Sequence, residues 1–305
     1  MTLVARFAPV HLLLPVKNAA RQDKIAPGKR HHVRKLMISA VTRLGAPLAQ
    51  LLRRTGLWTP AMDNVDAAAI CTHPLVLNLA RNFQDHWRKL EQCRPLALPR
   101  GMERVKGAMD DGPVQIRNCC FSARGFRKMH LELASIGPGL NILHAVMFPD
   151  PCWDLPLFGC DVVAARGQVS AAVVDLSPTA EVLSPSLNRQ LQALPRPEFS
   201  EPRQLPPWGD IFSTAVCFIR PRGVEEEQGF QELAVGYLRL LLAEAGRISP
   251  DSPAHPATVA RRAAQLRYCR QQQCNDKTKR VLAKAFGDPW ADDYIRHVLF
   301  DEPAA

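Results

Sequence analysis

The chain has 305 residues, 47% of them hydrophobic, and a formal net charge of +10 at pH 7. Taken alone, such an excess suggests nucleic acid or an anionic membrane surface as partner. Its distribution argues against both: residues 1–62 hold eleven Lys or Arg and a single acid, Asp23, whereas residues 63–305 hold 28 basic and 28 acidic residues.

Residues 1–62 read as a basic leader, and residues 63–305 as one folded domain. The leader carries Arg6, Lys17, Arg21, Lys24, Lys29, Arg30, Arg34, Lys35, Arg43, Arg53 and Arg54 among Leu, Val and Ala, with almost no acids. Organelle transit peptides have this composition. It resembles an algal plastid-targeting sequence and predicts a plastid stromal protein once removed. Ser39 is its only serine, which departs from the plastid pattern, so a mitochondrial leader or a basic arm kept on a cytosolic protein is the alternative. The apolar stretch Val10 to Val16 is interrupted by His11 and Pro15 and is too short to span a bilayer.

From Phe126 the pattern turns to strands. In FRKMHLELA, Phe126 to Ala134, period-two alternation sets Met129, Leu131 and Leu133 on one face and Lys128, His130 and Glu132 on the other. In LNILHAVMFP, Leu140 to Pro149, His144 shares a face with Ile142, Val146 and Phe148. In LPLFGCDVVAA, Leu155 to Ala165, Asp161 is surrounded by apolar residues, and a carboxylate there needs partners. The connectors Ile136 to Gly139 and Pro149 to Pro156 are turn-rich and too short for a crossover helix. Consecutive strands should therefore pair antiparallel and bring His130, Glu132, His144 and Asp161 together in one pocket.

QVSAAVVDLSP from Gln168 reads as a further buried strand, and TAVCFIRP from Thr214 as another strand or a helix end. Between them, Pro178, Pro185, Pro195, Pro197, Pro202, Pro206 and Pro207 predict a surface loop without regular structure. Leucines and valines at helical spacing predict a helix from Glu225 to Ile248. A second helical region follows from Ala257 to Phe286, closed by Gly287 and Pro289, and a short last helix from Trp290 to Phe300. Strands in the middle with helices before and after predict an antiparallel sheet covered by helices.

The nine cysteines, Cys71, Cys93, Cys119, Cys120, Cys152, Cys160, Cys217, Cys269 and Cys274, form no CxxC pair and no repeated metal-ligand spacing. They suit reduced thiols in a stromal or cytosolic compartment, and an iron–sulfur cluster or other bound metal is not expected. No Gly-rich nucleotide fingerprint and no internal repeat is present.

FRKMHLELA, LPLFGCDVVA, VSAAVVDLSPT, LPPWGDIFS, FIRP and NDKTKRVLAKAFG together resemble the ferredoxin-dependent bilin reductases, over a span from about His73 to Asp301. The resemblance implies a three-layer α/β/α sandwich, with a bilin held between a central antiparallel sheet and the C-terminal helices. It implies biliverdin IXα as substrate, a small [2Fe–2S] ferredoxin as electron donor, no resident cofactor, and a monomer. By motif match, Asp161 is the principal proton donor, with His144 as a partner titrating together with it. Glu132 with His130 protonates the ring-D vinyl group. Glu132 implies four-electron reduction to phycocyanobilin, the alternatives being another regiospecificity or a non-catalytic bilin carrier. Arg203 and Lys277 match propionate-contacting positions, Ser170 adds a hydroxyl, and Asn275 and Asp276 flank the pigment. Trp208 is expected in the core rather than facing the pigment. An acidic donor needs a basic docking face, for which two clusters qualify: Arg117, Arg124, Arg127 and Lys128, or Arg261, Arg262, Arg267, Arg270, Lys279 and Arg280.

Overall fold

The computed structural model describes residues 70–205, 209–274 and 276–304, the last range without the side chains of Asp276 and Lys277. The basic leader, Pro206, Pro207, Trp208, Asn275 and those two side chains therefore lie outside the described residues.

The described chain starts with helix α1, Pro74–Trp87, which opens with proline in its first turn. There the missing amide hydrogen costs nothing. Leu75, Leu79, Phe83 and Trp87 recur every four residues and form one buried stripe. A short strand β1, Arg94–Pro95, leads to the β2–β3 hairpin, Arg104–Met109 and Gly112–Ala123. The expected meander follows as β4, Phe126–Ile136, β5, Leu140–Pro149, β6, Leu157–Ala165, and β7, Gln168–Ser177. Strand β8, Cys217–Ile219, completes an antiparallel sheet of order β1-β3-β4-β5-β6-β7-β8, with β2 also on β3. The segment from Thr214 thus ends as a strand.

Both faces of the sheet are covered. On one, Met129, Leu131, Leu133, Leu143 and Val162 pack with α1, with α2, Pro185–Ala193, and with α3, Gly223–Arg247. On the other, Ile142, Val146, Phe148, Val163 and Val173 pack with α4, Pro256–Gln273, α5, Asp276–Phe286, and α6, Asp288–Tyr294, which continues as a π turn, Ile295–Leu299. This is the three-layer sandwich expected.

Two expectations are corrected. The proline-rich passage holds α2, because Ser184 caps it by accepting a hydrogen bond from the Leu187 amide, Pro185 sits in its first turn, and Leu187 and Leu191 face the core. The region from Ala257 to Phe286 is two helices, with α4 ending at Gln273 and α5 starting at Asp276.

Turn chemistry sets the strand register. Gly137, in the β4–β5 turn, has φ +56°, and a Cβ there would stand 2.2 Å from the Asp111 carbonyl oxygen. Only glycine allows the two hairpin turns to approach this closely.

Candidate active site

Short antiparallel connections put three chemically active side chains in one row. Glu132 of β4 lies directly opposite His144 of β5, and His144 directly opposite Asp161 of β6. Neighbouring strands sit about 4.8 Å apart, so this register forces the groups into contact range on the face covered by α4, α5 and α6. His144 Nδ1 is 2.5 Å from Asp161 Oδ1. His130, two residues before Glu132 and on the same face, stands with its ring centroid 6.0 Å from that of His144. All four are buried.

A second set of contacts extends the row. Asn118, opposite Glu132 on β3, has its carbonyl oxygen 2.9 Å from His130 Nε2 and 2.8 Å from the Tyr294 hydroxyl. Tyr294 lies 2.5 Å from Glu132 Oε2. The Asn118 amide donates to the Met102 carbonyl, which fixes its orientation. A tyrosine has one proton, so it satisfies both neighbours when Glu132 is protonated and donates to it while it donates to Asn118. Burial, the largest influence, pushes Glu132 above the ordinary carboxylate range, against the opposing pull of the His144 charge and the Tyr294 bond. Burial first, then the charges of Lys128 and His144, hold His130 well below the ordinary histidine value. Burial and then the Glu132 charge raise Tyr294 well above the usual phenol range. The arrangement can hold a neutral carboxylic acid and a neutral imidazole side by side. It also pairs a second imidazole with a carboxylate that orients it. Among the described residues His130 Nδ1 and His144 Nε2 are buried without a hydrogen-bond partner, which leaves each ring one nitrogen for a ligand.

Asn118 and Tyr294 are not among the expected site residues. Phe300 is a third addition, its ring centroid 5.6 Å from that of His144. Asp175 of β7 is also buried on this face, but Ser177 and Ser213 occupy its carboxylate, so it fastens the 213 loop to the sheet. Tyr268 of α4 is buried against Phe148, its ring 6.3 Å away, and burial raises its hydroxyl well above the phenol range.

The expected binding residues are placed differently. Ser170 is half-buried on β7, and its hydroxyl donates to the Val163 carbonyl at 3.0 Å, at the irregularity in the β6–β7 ladder. Arg203 pairs by its backbone with Phe218 on β8 and lines a groove with Pro197, Phe199 and Leu233, three strands away from His144. Of the expected docking clusters, the first is largely taken up within the fold. Lys128 is only 2% exposed and pairs with Asp301, and Arg127 pairs with the same carboxylate at 2.7 Å. Arg124 donates to the Ala245 carbonyl and covers the Trp153 ring. In the second cluster Arg261 is buried and holds the Pro151 carbonyl and Asp251, while Arg267 and Arg270 are exposed.

Between the sheet and α5 runs a crevice lined by Glu132, Ile142, Leu282, Phe286 and Leu299, with about 30 Å³ of free space. Drug-sized ligands occupy pockets of roughly 300–1,000 Å³, so the crevice as it stands is smaller than such a ligand needs.

Comparison with known proteins finds relatives over most of the chain. The chain is 48% identical over 231 residues to a phycocyanobilin:ferredoxin oxidoreductase of Synechococcus sp. (strain CC9902), covering 76% of this chain and 94% of the relative. It is 47% identical over 242 residues to another of Trichodesmium erythraeum (strain IMS101), covering 79% and 98%. The crystal structure of tomato phytochromobilin synthase in complex with biliverdin shares the fold, with a TM-score of 0.58 at 18% identity over 73% of this chain and 80% of that one. The family model for ferredoxin-dependent bilin reductase matches residues 80–301, and the chain belongs to that family.

Proposed function

We propose that this chain reduces biliverdin IXα to phycocyanobilin, taking four electrons from reduced ferredoxin and adding four protons, at the ring-D vinyl group and the A ring. The observation that carries the reading is the row Glu132–His144–Asp161, in register across three strands under helices that exclude water. One-electron delivery from outside leaves the protein to supply protons and geometry, and the row does both. Relatives sharing 48% and 47% identity carry the phycocyanobilin:ferredoxin oxidoreductase name.

In this reading Asp161 and His144 act as a unit at the bilin core. The carboxylate orients the imidazole through Nδ1, and Nε2 faces the substrate. Glu132, held protonated by burial, gives its proton to the ring-D vinyl group. His130, neutral and anchored on Asn118, keeps a second imidazole beside it. Lys277 binds a propionate, with Asn275 and Asp276 around the pigment; Arg203, three strands from His144, and Ser170, whose hydroxyl is taken by the Val163 carbonyl, are assigned no contact. The enzyme is monomeric, and residues 1–62 direct it to a plastid.

Purified protein, biliverdin and a reduced ferredoxin system, followed anaerobically by absorbance with chromatography of the product, test the proposal. Ferredoxin-dependent loss of biliverdin and formation of phycocyanobilin are expected. Stable binding of biliverdin without turnover makes the chain a carrier, and a lasting two-electron product assigns it a different regiospecificity.

A further inference from the structure

The residues that contact the proton donors from above belong to one short segment of chain. Tyr294 reaches Glu132, and six residues later Phe300 lies against His144. The end of that segment is fastened to β4 at a single point. The Lys128 ammonium donates to the Val298 carbonyl at 2.7 Å and to the Asp301 carboxylate. Arg127 donates through Nη1 to the other carboxylate oxygen at 2.7 Å and through Nη2 to the Asp301 carbonyl at 2.9 Å. Its guanidinium also covers the Phe148 ring, 4.6 Å from the centroid. Gln273 of α4 donates to the Phe300 carbonyl at 2.8 Å.

A lysine this deeply buried is costly unless paired, and this one sits two residues before His130 on the same face of the same strand. An apolar residue would suit the sheet equally, so what the ammonium adds is the contacts it makes. Through residues 298–301 it holds the roof over the two donor pairs. We infer that the Lys128–Asp301 ion pair, reinforced by Arg127, is a positioning device for the reaction, setting Phe300 against His144 and Tyr294 on Glu132. The inference rests on the proposed reduction for its catalytic readout and on the fold alone for its structural one. The charged and titratable groups around the two imidazoles are Lys128 and Glu132 on β4, Asp161 on β6, Cys120 on β3, and Tyr294 and Asp301 from the C-terminal segment.

Asp301→Asn and Lys128→Met, made singly and together in the full chain, test it. Each single variant should lower kcat roughly ten- to hundredfold, with a much smaller change in KM for biliverdin, because misplaced donors slow chemistry more than binding. The double variant should lose much less than the product of the two single losses, since both remove the shared ion pair and each removes only one further contact of its own. Asp301→Glu should recover part of the rate. Without substrate or ferredoxin, histidine-selective NMR should show the His144 ring protons losing the ring-current shift that Phe300 imposes, in Asp301→Asn as in Phe300→Leu. If His144 signals stay in place in folded Asp301→Asn, or the two singles combine multiplicatively, the inference is overturned. Should Asp301→Asn fail to fold, Lys128→Met and Lys128→Arg carry the same measurements. An unaltered chain inactive on biliverdin defeats the proposed function and leaves the NMR result to decide this one.

Discussion

His144 and Asp161 face each other across β5 and β6 with Nδ1 2.5 Å from Oδ1, and among the described residues His144 Nε2 has no partner. The carboxylate contact at Nδ1 sets the tautomer and aims Nε2 away from Asp161. On the proposed function the pair is one proton-handling group, and its orientation comes from sheet register.

Replacing Asp161 by Asn keeps the shape and removes the charge that fixes this tautomer. Turnover should fall about 10²- to 10⁴-fold, the usual contribution of a positioned acid or base, with bilin still bound. Single-turnover absorbance after reduction should show a long-lived radical intermediate; decay at the unaltered rate would contradict the assignment.

Tyr294→Phe removes the link between Glu132 and Asn118 and takes from the buried Glu132 carboxyl its tyrosine partner. Unfolding in urea should show a loss of about 1–3 kcal/mol, the cost of such unsatisfied groups. The ring-D step should slow with it, read as accumulation of the two-electron product.

His130 and Glu132 give opposite pH signatures. Burial and the Lys128 charge lower the folded-state value for His130 below its ordinary 6.5. The unfolded chain therefore binds the extra proton, and stability falls as pH drops below about 6.5. For Glu132 the folded value is raised by burial, so its contribution is fully present below the ordinary carboxylate value and is lost as pH rises through the folded one. Relative to the unaltered chain, His130→Gln should be less acid-sensitive, and Glu132→Gln should hold its melting temperature better toward alkaline pH. Calorimetric scans across pH 4 to 9 check both signs, a range of about two units around these groups' ordinary values.

Gly137→Ala should destabilise the fold by about 1–3 kcal/mol, because φ +56° and the Asp111 carbonyl both oppose a side chain. Equilibrium denaturation measures it, and no change would mean that the β4–β5 turn is looser than described.

The row Glu132–His144–Asp161 was legible because strand alternation has a period of two and the connectors allow only antiparallel neighbours. Together these conditions give both the face and the register. Asn118 and Tyr294 were not legible: Tyr294 meets Asn118 across 176 residues, and nothing in the local pattern at either position marks it. Lys128 reads as a surface cation until Asp301, 173 residues on, is brought beside it. Helices α1 and α2 had readable signals, a proline in the first turn and apolar residues four apart. In α2 the surrounding prolines obscured them.

Reaction of Glu132→Gln with biliverdin and reduced ferredoxin, with the products separated by chromatography, tests most directly whether this row delivers protons to a tetrapyrrole. The account predicts phycocyanobilin from the unaltered chain and a stalled two-electron product from the variant. Phycocyanobilin formed by Glu132→Gln at the unaltered rate would contradict it.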